Sequence, residues 1–383
     1  MATSLATRYG SNCAGAKIYV NMQAKPHFIW DVSTAYDLFI SLEVLHDPGR
    51  FGLRGNWAAG VRSRLPAPQR EFLQHLYKNH PLWLLPWVVS LPRPKDGAAV
   101  LQHLAAIPPA ERLPAVSLGC LEEEYKELLL AVKERGGWDE KDKARLAGLA
   151  QKTSRREGKS KKVPGAEIEV TLRRWANSAQ FGEAFLAALT AYYELFYQEE
   201  EQRILPVLQA SAVKAQALAA TRPLTETLNE LSQGLHFNEN KVNQIRELVM
   251  IPSFWTTPLA YLGPLEPGGE AARWAFVFGG RPPEMSLVPG EVVPDVLHQT
   301  LKALADPTRL RILRYLSQEP LTPAELARRL RLRPPTVTHH LDALRLARLV
   351  HVTLNRQGRC YEARPEAIDA ACRLLEAFLA GEQ

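Results

Sequence analysis

The residues best suited to chemistry lie near the C-terminus, and that chemistry is the binding of a polyanion. Residues 331–345 read RLRPPTVTHHLDALR. Thr336, Thr338, His339 and His340 are small or hydrogen-bonding side chains able to meet base edges in a major groove. Arg331, Arg333 and Arg345 flank them as candidate DNA contacts. A second group, Asn355, Arg356 and Arg359, surrounds a turn ending at Gly358. Residues 296–364 carry 13 Lys and Arg against five acids, a formal charge of +8; the whole chain is +6, which leaves −2 for the rest. The basicity is local, as in a domain that neutralises phosphates and releases counterions.

These residues need rigid elements beneath them, and the same stretch supplies the signals. Asp306-Pro307 is a cap followed by proline at the first helical position, with Leu310, Ile312, Leu313 and Leu316 as the apolar face behind it. Thr322 to Glu325 is a capping box that opens the helix Pro323–Leu330, with Leu326 and Leu330 inward. After a three-residue turn comes Pro334–Leu346, where Val337, Leu341 and Leu344 fall within about 60° of one another at helical periodicity. Thr336, His339 and Ala343 take the opposite arc, flanked by Thr338 and His340. Arg333 lacks a capping side chain, but Pro334 and Pro335 remove two of the amides a cap would serve. Residues 349–354 and 359–363 alternate as strands. The pattern is a helix-turn-helix followed by a hairpin wing.

Taken together, LADPTRLRILRYL, LTPAELARRL and PPTVTHHLDALRLARLV before a basic hairpin resemble the ArsR-type winged-helix transcriptional regulators, over roughly residues 296–380. The resemblance implies a homodimer on a palindromic operator in double-stranded DNA, and repression relieved by a signal. It makes 334–346 the recognition helix and 355–359 the wing tip. It makes 365–379, with Ile368, Ala371, Cys372, Leu375, Phe378 and Leu379, a dimer-forming helix. Metal-sensing members place cysteines on the helix before the recognition helix, yet Pro323–Leu330 has none. Asp369 on the final helix has no histidine beside it. No metal and no cofactor is therefore expected. Cys360 and Cys372 are either a thiol switch or two inert thiols.

The other four-fifths of the chain say less. A length of 383 residues exceeds one ordinary core. The expected fold class is mainly α with small β elements, the winged helix following a larger, mostly helical N-terminal domain. The expected division is 1–21, a flexible extension; 22–285, a sensor, partner or dimerisation domain with strands near 245–279; 286–295, a linker; and 296–383, the winged helix. All eight tryptophans precede residue 290. Four scattered cysteines point to a reducing cytosol, and the absence of a signal-peptide core or long apolar run gives no membrane partner. The long N-terminal region resembles the N-terminal halves of long ArsR-like regulators.

Within that region, 29–45 reads as a helix capped at Asp31 or Ser33, 64–77 as another, and 80–94 as a buried connector or broken helix. Residues 121–135 form an amphipathic helix stopped by Gly136-Gly137. The basic run 152–162 is either a secondary nucleic-acid contact or, more commonly for such a composition, a solvated loop. Residues 167–220 carry the longest helical signal, broken near Pro206. Its stripe from Phe181 to Phe196 is either ordinary core or a pocket wall for a small-molecule effector. Glu199, Glu200 and Glu201 point in different directions on a helix and read as a solvated face. The runs RELVMIPSF and ARWAFVFGG read as strands. No nucleotide-binding or hydrolase motif occurs, so no enzyme is expected. Two rival readings stay open: an enzyme fused to a DNA-binding module, and a purely structural N-terminal domain.

Overall fold

The computed structural model describes residues 26–53, 55–79, 84–156, 164–237, 239–242, 244–266, 273–290, 292–355 and 358–381. The expected extension, most of the basic run and Arg356 lie outside the described residues. The described chain is mainly helical with two small sheets, as the sequence patterns indicate.

Among the described residues, five strands precede the DNA-binding segment: β1 (His27–Trp30), β2 (Leu235–His236), β3 (Glu247–Ser253), β4 (Tyr261–Pro264) and β5 (Arg273–Gly279). Four form one sheet in the order β1-β3-β5-β4, parallel except for β4. β3 and β5 are buried on both faces, which is why their sequences are nearly continuous apolar runs. Val249 and Ile251 with Ala275 and Val277 meet one helical layer; Leu248 and Met250 with Phe276 and Phe278 meet another. Pro252 in a central strand costs no ladder bond on the β1 side. Met250 O accepts from Asp31 N, so Pro252, two residues on, aims its nitrogen at the same side, past the end of β1.

The sequence missed β1 and β4. The first helix is Ala35–His46, with Thr34 rather than Asp31 or Ser33 at the N-cap position and no side-chain capping bond from it. Ser33 Oγ instead accepts from Ala35 N at 3.1 Å. Buried Asp31 accepts from Lys95 Nζ at 2.6 Å and from the Tyr36 hydroxyl. The long helical signal does not break at Pro206, which sits inside Gln198–Thr221 and removes only one helical bond. It breaks at Asn177 and at a π-helical turn, Tyr193–Tyr197. The aromatic stripe is mostly core, with Phe185, Leu189 and Tyr192 buried against the first helix and its neighbours. A satellite core around Leu129, Leu172 and Trp175 joins the helices Glu123–Arg135, Glu140–Arg156 and Gly165–Ala176. Gly136 stops the first of these in the left-handed region.

Glu199 is exposed as expected of a solvated face, but Glu200 and Glu201 are not. Glu200 is buried and pairs with Arg203 at 2.6 Å. Glu201 accepts from Gly97 N at 2.7 Å and from the Tyr193 hydroxyl at 3.1 Å. Glu201 thus ties its helix to Gly97, whereas the Glu200–Arg203 pair lies within one helix.

Residues 286–295 were expected to be a linker, yet the segment is pinned. Asp295 accepts from Arg281 Nη1 at 3.0 Å and from Leu287 N at 2.6 Å, and it begins the helix Asp295–Leu304. Beyond it stand Pro307–Leu316, Pro323–Leu330, Pro334–Leu346, the hairpin β6 (Val350–Asn355) and β7 (Gly358–Ala363), and Pro365–Ala380. β2 adds to β6 in parallel, so the wing sheet, ordered β2-β6-β7, is shared by both parts of the chain. Gly234 makes this approach possible. Its φ is +146°, and a Cβ there would stand 3.2 Å from Val350 O.

Candidate nucleic-acid interface

The helix-turn-helix forms as its capping signals require. Asp306 Oδ1 accepts from Arg309 N at 3.0 Å, and this bond, with the Arg309 and His340 charges, holds its carboxyl below the ordinary range. In the capping box, Glu325 N donates to Thr322 Oγ1 at 3.3 Å, while Thr322 N donates to Glu325 Oε2 at 2.7 Å. Arg331 makes the turn with φ of 55°, and Leu332 N closes it onto Ala327 O at 3.0 Å.

Val337, Leu341 and Leu344 are each fully buried, so the orientation of the second helix is fixed by its back. Leu326, Ile312, Leu349 and Tyr361 complete that core. Leu310, expected in it, is 48% exposed; Ile312, Leu313 and Leu316 do the packing.

Thr336 and His339 are exposed on the outer arc, with Arg331 and Arg333 exposed at its entrance. These four make one continuous hydrogen-bonding and cationic surface. Thr338 is half-buried, and its hydroxyl donates to Pro334 O at 3.1 Å. His340 turns back toward the start of the helix Pro307–Leu316, its side chain 14% exposed and its Nδ1 3.9 Å from Asp306, the N-cap of that helix. Its Nδ1 is buried and makes no hydrogen bond, so this edge of the ring faces inward from the exposed arc.

Arg345 departs furthest from expectation. It sits on the flank of the helix and faces a cavity toward the N-terminal domain. Arg359, exposed on β7, lies at the same cavity. Asn355 pairs with Gly358 across the hairpin, while the expected contact Arg356 lies outside the described residues. Cys360 is half-buried and burial pushes its thiol up, while Cys372 is exposed. Of the basic run, Lys152 pairs with Glu124 at 3.1 Å.

Sequence reasoning missed the junction with the N-terminal domain. Arg364 Nη1 donates to Gln233 O at 2.6 Å, and the His236 and His351 rings stack at 4.0 Å. Burial, with Arg281 and Arg364 nearby, lowers the Arg348 guanidinium to about 9 against the opposing pull of Asp295. A two-residue strand such as β2 carries no periodicity, so nothing local marks it.

Together, the capped pair of helices, the exposed polar arc and the hairpin define a winged helix-turn-helix, a DNA-binding class. A helix-turn-helix domain model matches residues 304–353. The HTH-type transcriptional regulator Rv2034 of Mycobacterium tuberculosis is 39% identical over 77 residues, 20% of this chain and 72% of that protein. Through this domain the chain belongs to the HTH-type transcriptional regulators. No solved structure matches the chain. Among the described residues, no helix is long and apolar enough to cross a membrane.

Proposed function

We propose that this regulator is a cytoplasmic, ArsR-type homodimer that represses from a palindromic operator and is released by a small molecule, not by a metal. The observation that carries sequence-specific reading is the arc of Thr336 and His339 standing exposed on a helix whose back is fully buried. Small hydrogen-bonding side chains on a rigid helix can approach base edges, and Arg331 and Arg333 meet phosphates at its entrance. Thr338, Asn355, Arg356 and Arg359 complete the contact set.

The dimer reading rests on Pro365–Ala380. Only Ala371 of this helix is buried, while Leu375 and Phe378 are half-buried and Leu379 is 75% exposed. Leu301, on the adjoining helix Asp295–Leu304, is 46% exposed. A second copy would cover this apolar surface. The reading against metal rests on the lack of cysteine in Pro323–Leu330 and of histidine beside Asp369.

Selection of binding sites from random DNA tests the reading. The expected product is an inverted repeat whose half-sites lie about 10 base pairs, one helical turn, apart. A pool that stays random contradicts it.

A further inference from the structure

A cavity of about 500 Å³ lies where the N-terminal domain meets the recognition helix and the wing, within the range of small-molecule sites. Much of its wall is apolar, with Phe39 and Ile40 from the first helix, Val88 from Leu85–Ser90, and Leu259 from the loop after β3. The DNA-binding side contributes Arg345 and Arg359, and Arg50 lines the same space.

The three guanidiniums are not equally satisfied. Arg50 pairs with Glu43 at 2.6 Å. Arg345 Nε is buried and makes no hydrogen bond, and Asp342 stands 4.0 Å from it, outside hydrogen-bond reach. Burial lowers the pKa of Arg345, and the charges of Arg359 and Arg50 push the same way against Asp342. A partly desolvated guanidinium, beside a second cation and facing an apolar space, is stabilised by an anion that reaches it.

We infer that this cavity binds a small amphipathic organic anion, its apolar body against Phe39, Ile40, Val88 and Leu259 and its acidic head group on Arg345 and Arg359. The site itself stands on these contacts; its consequence for DNA rests on the regulator reading above. An anion there neutralises charge on the recognition helix and wing and ties both to the N-terminal domain. DNA and ligand then weaken one another by the same factor.

Titration calorimetry on the full chain with dodecanoate, below its micellar concentration, tests the site. One site per chain is expected. Dodecanol, which has the body without the charge, binds at least tenfold more weakly, and inorganic phosphate does not bind. Arg345→Gln weakens dodecanoate at least tenfold and leaves dodecanol unchanged. Leu259→Trp fills the cavity and removes both; Ile40→Trp repeats the test from another wall should the first variant fail to fold. The inference is overturned by absence of dodecanoate binding, by equal affinity for wild type and Arg345→Gln, or by binding that survives the tryptophan. A chain that binds dodecanoate through Arg345 but selects no DNA keeps the site and sinks the regulator reading. A chain that selects DNA but binds no dodecanoate sinks the site alone.

Discussion

The imidazoles of His236 and His351 stack with centroids 4.0 Å apart and planes 27° from parallel. They join β2 of the N-terminal domain to β6 of the wing. Burial first, then the neighbouring His236 and Arg364, lower the His351 pKa to about 4, with Glu366 opposing. An unfolded histidine takes up its proton near pH ~6.5, so between these values the native chain binds fewer protons. The contribution of His351 to stability is full above pH ~6.5 and is lost as the pH falls toward 4. Asp37, whose carboxyl burial pushes up to about 6, acts in the opposite sense over part of that window. The difference between wild type and His351→Phe therefore isolates the histidine. Melting temperatures should diverge as the pH falls, with wild type losing more; parallel curves would contradict the assignment.

The pinned segment before the winged helix gives a second expectation. The Arg281 side chain is 2% exposed and its carboxylate partner is Asp295. Asp295→Ala leaves that cation buried and should cost about 3 kcal/mol, the lower end for a broken buried pair. Urea unfolding measures it. A loss within the ~0.5 kcal/mol of an ordinary surface substitution would mean that the pair does not hold the segment.

How much of this was legible in the sequence depends on how local each signal is. The winged helix announced itself because Asp306-Pro307, Thr322 with Glu325, and the spacing of Val337, Leu341 and Leu344 act within a few residues of themselves. β3 and β5 were legible as short apolar runs even though both faces are covered and the period of two is lost; the rest of that sheet was not. β1, only four residues long, finds its partner, β3, far down the chain. Glu201 looked solvated because two of its partners, Thr34 and Gly97, come from remote elements. Arg345 looked like a DNA contact for the same reason. What it faces is set by Arg50 and the first helix, which no helical wheel contains.

The wing should carry electrostatic affinity without sequence preference. Arg356→Ala with Arg359→Ala is expected to weaken binding to all sequences and to reduce the slope of log affinity against log salt by about 2, roughly 0.9 for each phosphate that an arginine neutralises. Fluorescence anisotropy across a salt series reads both quantities. An unchanged slope removes the wing from the interface.

Dimerisation should depend on the terminal helix. Leu375→Glu with Leu379→Glu places charge on its open apolar face and is expected to yield a monomer that still folds, since neither side chain is buried in the single chain. Sedimentation against concentration distinguishes the outcomes. A dimer that survives both substitutions places the interface elsewhere.

The claim that Pro334–Leu346 reads sequence is tested most directly by repeating the selection from random DNA with Thr336→Ala and His339→Ala. Each variant should fold as wild type does, because both side chains are exposed. Each should recover a site altered at one symmetric pair of positions, with discrimination there reduced by about 1–3 kcal/mol per base pair. Recovery of the wild-type site by both variants would contradict the assignment of this arc as the reading surface.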